Sequence, residues 1–241
     1  MDRLSPRVEL IAYTPDPEKV CALAARTCYS ALPLDELKAR VNDQDQADFL
    51  RGVIRSGHLS VLEHVSFTFY VENVTRVLLA QLTRHRIASF SVQSQRYVSL
   101  ADSFAYQTPP RIREMGPEYE ERYQRQMEQM SVWYREWQDA FGHDGAANED
   151  ARFVLPNACM TRLTMTMNAR ELNHFFALRC CSRAQWEIRD LATRMLALAS
   201  KAAPVLFEHA GPGCVRGACP EGSRSCGKAS EVKARFEALT R

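Results

Sequence analysis

Hydrophobic positions along this chain fall mostly at helical spacing, broken by a few short runs of strand character. Residues 7–13 read as a first strand. Pro17 marks a helix start, and Val20, Leu23, Ala24 and Cys28 share one face of residues 18–30. A polar helical segment begins at Asp35, gains an apolar face from Phe49, Leu50, Val53 and Ile54, and ends at Gly57. Residues 58–64 form a loop or single turn. Residues 66–72 are rich in aromatic and β-branched side chains and read as a strand. A helix over 74–84 follows. Aromatic and Met residues at i, i+3 and i+4 spacing (Tyr119, Tyr123, Met127, Met130, Trp133, Tyr134, Trp137) predict a long helix over 115–141, with the stripe serving a core or a subunit interface. Residues 142–148 read as a turn, 159–168 as a strand, and 169–180 and 184–209 as helices. After Gly211 apolar residues are too few for independent folding, apart from a last helix near 230–239.

Helices and a few strands that do not alternate as βαβ units imply an α+β fold, with a small, mostly antiparallel sheet flanked by helices. No repeat or low-complexity linker divides the chain. A single domain over 1–211 and a Cys-containing tail over 212–241 is the economical division.

The 241 residues suffice for one substantial core, and 46% hydrophobic with 25% charged residues is ordinary for a globular protein. A formal net charge of +2 argues against a nucleic-acid-binding surface, so any anion site must be local. No apolar run approaches the roughly 20 residues of a membrane span, and the N-terminus has no apolar signal core. A cytoplasmic protein is expected.

Residues 84–96 carry the densest chemistry. Arg84, His85 and Arg86 close the helical run, and Ser89, Ser91, Gln93, Ser94 and Gln95 lead to Arg96. Cations followed by uncharged donors suit a phosphate and a polar ring; a basic helix end that complements the helix dipole is the alternative. A second group comprises Arg152, Asn168, Arg170 and Arg179. Asn168 stands where strand gives way to helix, able to cap it or to bind a ligand. Arg170 and Arg179 are nine apart and face different ways. His58 and His64 with Glu63 between them are not a usual zinc spacing and lack a third ligand. There is no Gly-rich phosphate loop and no serine in a nucleophile elbow; Ser94 suits ligand contact better than attack.

Arg84-His85-Arg86, seven residues and then Ser94 resembles the signature of the flavin-dependent thymidylate synthases. The segment His58, Ser60, Glu63 and His64, then Gln81, Arg152-Phe-Val-Leu-Pro156, Asn168-Ala-Arg170, Arg179 and Ala184-Gln-Trp-Glu-Ile188 are similar to successive family segments, in order, over roughly residues 10 to 210. The resemblance implies a homotetramer of α+β subunits with active sites assembled between them. It also implies conversion of dUMP to dTMP, with 5,10-methylenetetrahydrofolate as carbon donor and FAD, reduced by NADPH, as hydride source. By family position Ser60, Arg84, His85, Arg86, Asn168, Arg170 and His174 would contact FAD. Gln81, Arg84, Gln93, Ser94, Gln95, Arg96, Arg152 and Arg179 would contact dUMP, with Arg179 activating the uracil in place of a covalent nucleophile. Val92, Ser91 and His174 depart from residues common in the family, so local hydrogen bonds there must differ.

Of eight cysteines, Cys21, Cys28, Cys159, Cys180 and Cys181 read as small buried thiols. Cys214, Cys219 and Cys226 cluster in a Gly- and Pro-containing stretch. They could hold zinc or an iron–sulfur centre if Cys180, Cys181, His209 or another subunit supplied a fourth ligand; a disulfide or reduced thiols are the alternatives. No metal site is assigned on sequence alone.

Overall fold

A computed structural model describes residues 5–101, 103–142 and 144–240. The strands are β1 (Arg7–Tyr13), β2 (Ser66–Thr75), β3 (Ala88–Val92) and β4 (Met160–Asn168). The helices are α1 (Pro17–Thr27), α2 (Leu34–Asp43), α3 (Ala47–Arg55), α4 (Arg76–Leu82), α5 (Pro110–Glu114), α6 (Pro117–Phe141), α7 (Gly145–Ala151), α8 (Ala169–Arg179), α9 (Trp186–Ala202), α10 (Pro204–Phe207) and α11 (Ala229–Thr240), with short 3-10 turns between some of them. The strands form one antiparallel sheet in the order β1-β2-β4-β3. The α+β expectation holds.

The two central strands follow the alternation of a half-covered sheet. Phe67, Phe69 and Val71 of β2 are buried, as are Thr161, Leu163, Met165 and Met167 of β4. Thr68 and Thr166 join hydroxyls across the pair at 2.9 Å. Near its end β2 passes through Asn73, at φ 60, a left-handed conformation that Asn tolerates better than most residues. The Thr75 hydroxyl then accepts from the Leu78 amide at 3.1 Å and caps α4.

The chain gathers into two compact units. One holds Val71–Arg84 and Ser91–Thr164 together with the N-terminal residues through Arg7; the other holds Val8–Tyr70, His85–Phe90 and the chain from Met165 onward. In the first unit α6 packs on α5 and α7, and Phe104, Met127 and Cys159 centre a core with Tyr106, Tyr123 and Leu155 against it. In the second, α8 packs on α9, α10 on α3 and α9, and α11 on α9. Phe207 lies edge-on to Phe67 and Phe176, with ring centres 5.3 and 5.9 Å apart.

Several elements differ from the sequence-based reading. The helix beginning at Asp35 is two helices, α2 and α3, separated by Gln44-Asp45-Gln46. The strand read as 66–72 continues to Thr75, which moves the start of α4 from Val74 to Arg76. Residues 88–92, read only for their polar donors, form edge strand β3. The predicted turn after Gly142 contains α7, capped by the Asp144 carboxylate accepting from the Ala147 amide at 2.7 Å. The helix read over 184–209 starts at Trp186 and breaks at Ala203-Pro204, where proline removes a backbone donor. The long helix faces both ways: Met127 and Tyr134 are buried, whereas Trp133 and Trp137 stay nearly half exposed. Of the five thiols read as buried, Cys28 is exposed and Cys181 only partly covered.

Phe207→Ala removes a fully buried ring shared by Phe67 and Phe176. A loss of about 3–5 kcal/mol in unfolding free energy is expected by denaturant titration; a loss below about 1 kcal/mol would contradict this packing role.

Candidate active site

The transition from β4 to α8 builds one cluster in the second unit. The Asn168 side chain accepts from the Glu171 amide at 2.8 Å, so its oxygen serves as the helix cap. Residues 171, 175 and 179 then recur every four positions along one face of α8. Glu171 is buried, 7% exposed, and its carboxylate accepts from His85 Nδ1 at 2.9 Å. Arg179 donates from Nε to His85 Nε2 at 3.1 Å. Because a guanidinium only donates, the imidazole must carry its proton on Nδ1 and present a lone pair at Nε2. Phe175 closes over the ring edge-on at 5.0 Å, and His174 stands at 5.9 Å. Burial pulls the His85 pKa below the ordinary imidazole value; the bond to Glu171 opposes this and the Arg179 charge reinforces it.

His85 is thus a buried neutral link and not the cation that its place in Arg-His-Arg suggested. Its ring, Glu171 and His174 form the one set, among the described residues, whose potential metal ligands all lie within 4.8 Å of one another. The Arg179 guanidinium beside it opposes a second cation, and each His85 nitrogen already has a partner. Glu171, His85 and Arg179 form a hydrogen-bonded relay, with His174 beside it.

Arg170 starts α8 on another face and pairs with Glu63 of the 3-10 turn Leu59–His64, which also carries Ser60. Arg84, Arg86, Ser60 and His174 are exposed. A cavity of about 500 Å³ opens beside Arg170. Its floor is apolar, with Ile54, Leu59, Leu62 and Leu206, and Arg55, His209 and Arg216 stand on its rim. Of the residues assigned to FAD or dUMP from the sequence only Arg170 lines it.

The first unit holds a second cluster. Ser94 Oγ accepts from the amides of Arg96 and Tyr97 at 3.1 and 3.4 Å, shaping a turn. That turn hangs on α7: Arg96 Nε meets the Glu149 carboxylate at 2.7 Å, and Asn148 Nδ2 donates to the Arg96 carbonyl at 3.1 Å. Arg152, at the end of α7, donates from Nε to the Glu149 carbonyl at 3.0 Å. Gln95 Nε2 points to Cys159 Sγ at 3.9 Å. Gln93 is fixed through its backbone: its amide donates to the Arg162 carbonyl at 2.9 Å, and its carbonyl accepts from Arg76 Nη2 at 2.9 Å. Gln81 lies on α4, half-buried. Arg76 Nε is buried with no hydrogen-bond partner among the described residues. Burial, and after it the nearby Arg152 charge, lowers the Arg76 pKa. Two cations this close favour an anion between them.

The structure therefore joins Ser94, Arg96 and Arg152 in one cluster and His85 with Arg179 in the other. It sets Arg170 apart from His85, with Glu63 as its partner. Sequence reasoning missed Glu171, Glu149, Asn148 and Arg76. Glu171 carried a usable signal: a carboxylate three residues beyond a capping Asn stands in a helix's first turn, where acids are favoured.

Residues 9–205 match the family described as "Thymidylate synthase complementing protein". A protein of Geobacter sulfurreducens named "Flavin-dependent thymidylate synthase" is 48% identical over 97% of this chain and 99% of its own length. Proteins of the same name from Clostridium tetani and Nitratidesulfovibrio vulgaris are 48% and 46% identical, over 94% and 95% of this chain and 95% and 97% of theirs. The chain belongs to this thymidylate synthase family.

Nitrogen NMR of the imidazoles tests the relay. His85 should show a protonated Nδ1 and a bare Nε2 at pH 7, and should remain neutral as pH falls past about 6.5, the ordinary imidazole value. The sign for stability follows: unfolded His85 binds its proton first, so stability contributed by this residue declines as pH drops below about 6.5. A doubly protonated ring at pH 7 would overturn the assignment.

Proposed function

We propose that this protein is a flavin-dependent thymidylate synthase that methylates dUMP to dTMP. FAD is the bound cofactor, NADPH its reductant and 5,10-methylenetetrahydrofolate the one-carbon donor. The observation that carries this reading is the buried Glu171–His85–Arg179 chain, which fixes an arginine by its Nε. Near-full-length similarity to proteins of that name supports it.

The residues present fit a flavin nucleotide. An apolar floor of Ile54, Leu59 and Leu62 suits a ring, and Arg170, Arg55 and Arg216 at the same cavity suit a diphosphate. Of the residues that the resemblance assigns to FAD (Ser60, Arg84, His85, Arg86, Asn168, Arg170 and His174), Arg170 lines this cavity and would hold it, whereas His85, with both nitrogens bonded, would act only through Arg179. The bound flavin supplies the hydride that reduces the transferred carbon.

This chain's own groups do the rest. Arg96 and Arg152, with the orphaned Nε of Arg76 behind them, would neutralise the dUMP phosphate. Gln81, Arg84, Gln93, Ser94 and Gln95 would complete the nucleotide's hydrogen bonds. Arg179, held in place by His85, would stabilise negative charge at the N3–C4 edge of uracil, so that carbon 5 can attack without a covalent protein adduct. Ser94 is suited to shaping the turn: its oxygen accepts two backbone amides. Residues 1–211 would form the catalytic part, in a cytoplasmic homotetramer with active sites shared between subunits. Small molecules, and not nucleic acid or membrane, would be its partners; among the described residues no helix is long and apolar enough to cross a membrane.

Tritium release from dUMP labelled at carbon 5, with flavin absorbance followed in parallel, tests the function. Wild-type protein should release tritium only with all co-substrates present; no release from a flavin-loaded protein would sink the proposal. Arg179→Ala should lower turnover by about 10²–10³-fold with flavin content retained, and unchanged turnover would remove Arg179 from the activating role. Ser94→Ala should raise the KM for dUMP by roughly fivefold, about 1 kcal/mol, with kcat retained; complete inactivation would return Ser94 to candidacy as a nucleophile.

A further inference from the structure

The thymidylate synthase reading leaves the C-terminal cysteines without a task. Residues 216–228 are nearly all exposed, and only Cys219 among them is partly covered. So little apolar burial offers a weak reason for an ordered loop. Yet this stretch adopts a defined 3-10 turn at Gly222–Arg224, and another, Gly213–Val215, leads into it.

Arg183 ties it to the turn between α8 and α9, and two close glycine contacts shape it further. Arg183 donates from Nη1 to the Glu221 carboxylate at 2.8 Å and to the Arg224 carbonyl at 3.0 Å. Gly213 lies so near Pro220 that an added Cβ would stand 2.7 Å from the proline ring, which closes the loop on itself. Gly211, at φ 133, lets Phe236 of α11 and Val215 close over the backbone. Together these contacts set Cys181, Cys214, Cys219 and Cys226 around one cavity of about 10 Å³, bordered also by Arg183.

We propose that Cys181, Cys214, Cys219 and Cys226 are the four ligands of a structural zinc ion. Four thiolates complete a tetrahedral zinc shell with no open position, the mark of a structural site. Soft sulfur ligands select zinc or iron–sulfur chemistry, and zinc is the ion that a closed four-thiolate shell holds in structural sites. The four sulfurs border the same cavity, where a cation would relieve the repulsion among their thiolates. Arg183 offsets part of the net negative charge left on a four-thiolate zinc site. No three of the sulfurs fall within 4.8 Å of one another among the described residues. They stand wider than the roughly 3.8 Å edges implied by a Zn–S bond of 2.3 Å. Binding must therefore draw the tail loop inward, and glycines at 213, 217, 222 and 227 give that loop the freedom to move. The ion would clamp the tail to the turn that begins two residues after Arg179.

The test uses the full chain, purified without chelator. Elemental analysis should find about one zinc per chain, released when a mercurial titrates the thiols. Cys181→Ser and Cys219→Ser should each lower zinc content severalfold, while Cys28→Ser, at an exposed position outside the cavity, should not. Cobalt added to the chelator-stripped wild-type chain should give the intense visible bands of a tetrahedral thiolate site, a readout independent of whether the variants fold. Absence of both zinc and cobalt uptake would overturn the proposal. So would wild-type zinc content in Cys181→Ser, or iron with acid-labile sulfide in place of zinc.

Discussion

A carboxylate buried beside a neutral imidazole is the interaction that orients Arg179. Glu171 loses most of its water on folding, a penalty of several kcal/mol unless its charge is met by hydrogen bonds. His85 meets it from 86 positions earlier in sequence, at 2.9 Å. In doing so it commits the imidazole to one tautomer, and the remaining nitrogen can then only accept. Arg179 is the donor that satisfies it. Each member determines the protonation of the next, so the guanidinium is oriented by a chain whose far end is anchored in the first turn of α8. A charged His85 would have nothing to offer Arg179 except repulsion. Burial, by keeping it neutral, makes the arrangement self-consistent.

The other cluster works by the opposite logic. Where Glu171 is fully compensated, Arg76 is not: its Nε is buried without a partner and Arg152 adds a like charge nearby. A protein tolerates such a deficit where a ligand completes it. Glu149 provides part of the balance by pairing with Arg96, but that pair is half exposed and screened, worth little to stability. Its use is to hold the Ser94 turn against α7. One cluster orders a guanidinium, and the other keeps cations short of counter-charge.

Around these sites the packing is conventional. Aromatic rings of β2, α8 and α10 meet edge to face, and this places the start of α8 firmly enough for a cap at Asn168 to matter. The tail differs: its exposed loop has few apolar contacts, and polar bonds from Arg183 hold it to the turn after α8. A metal centre there would add covalent character where the hydrophobic effect is weak.

The amino-acid sequence by itself determined the α+β class, the first strand, the strand read at 159–168 and the long helix read at 115–141 to within two residues, and the family, because period, aromatic content and ordered motifs are local properties. The Arg84-His85-Arg86 segment was legible as chemistry, but its division of labour was not. Residues 88–92 were read for their hydroxyls, yet they form a strand because β4 offers an edge to pair with. The residues after Gly142 were read as a turn because Gly, Asn and Asp favour one, yet Asp144 caps a helix there. Only the tertiary structure decided that His85 is neutral, that Glu171 holds it, that the Nε of Arg76 meets no partner among the described residues and that Cys181 borders the cavity of the tail thiols. Each of those facts depends on which distant side chain shares a low-dielectric space, and burial of that kind exists only once the chain has closed upon itself.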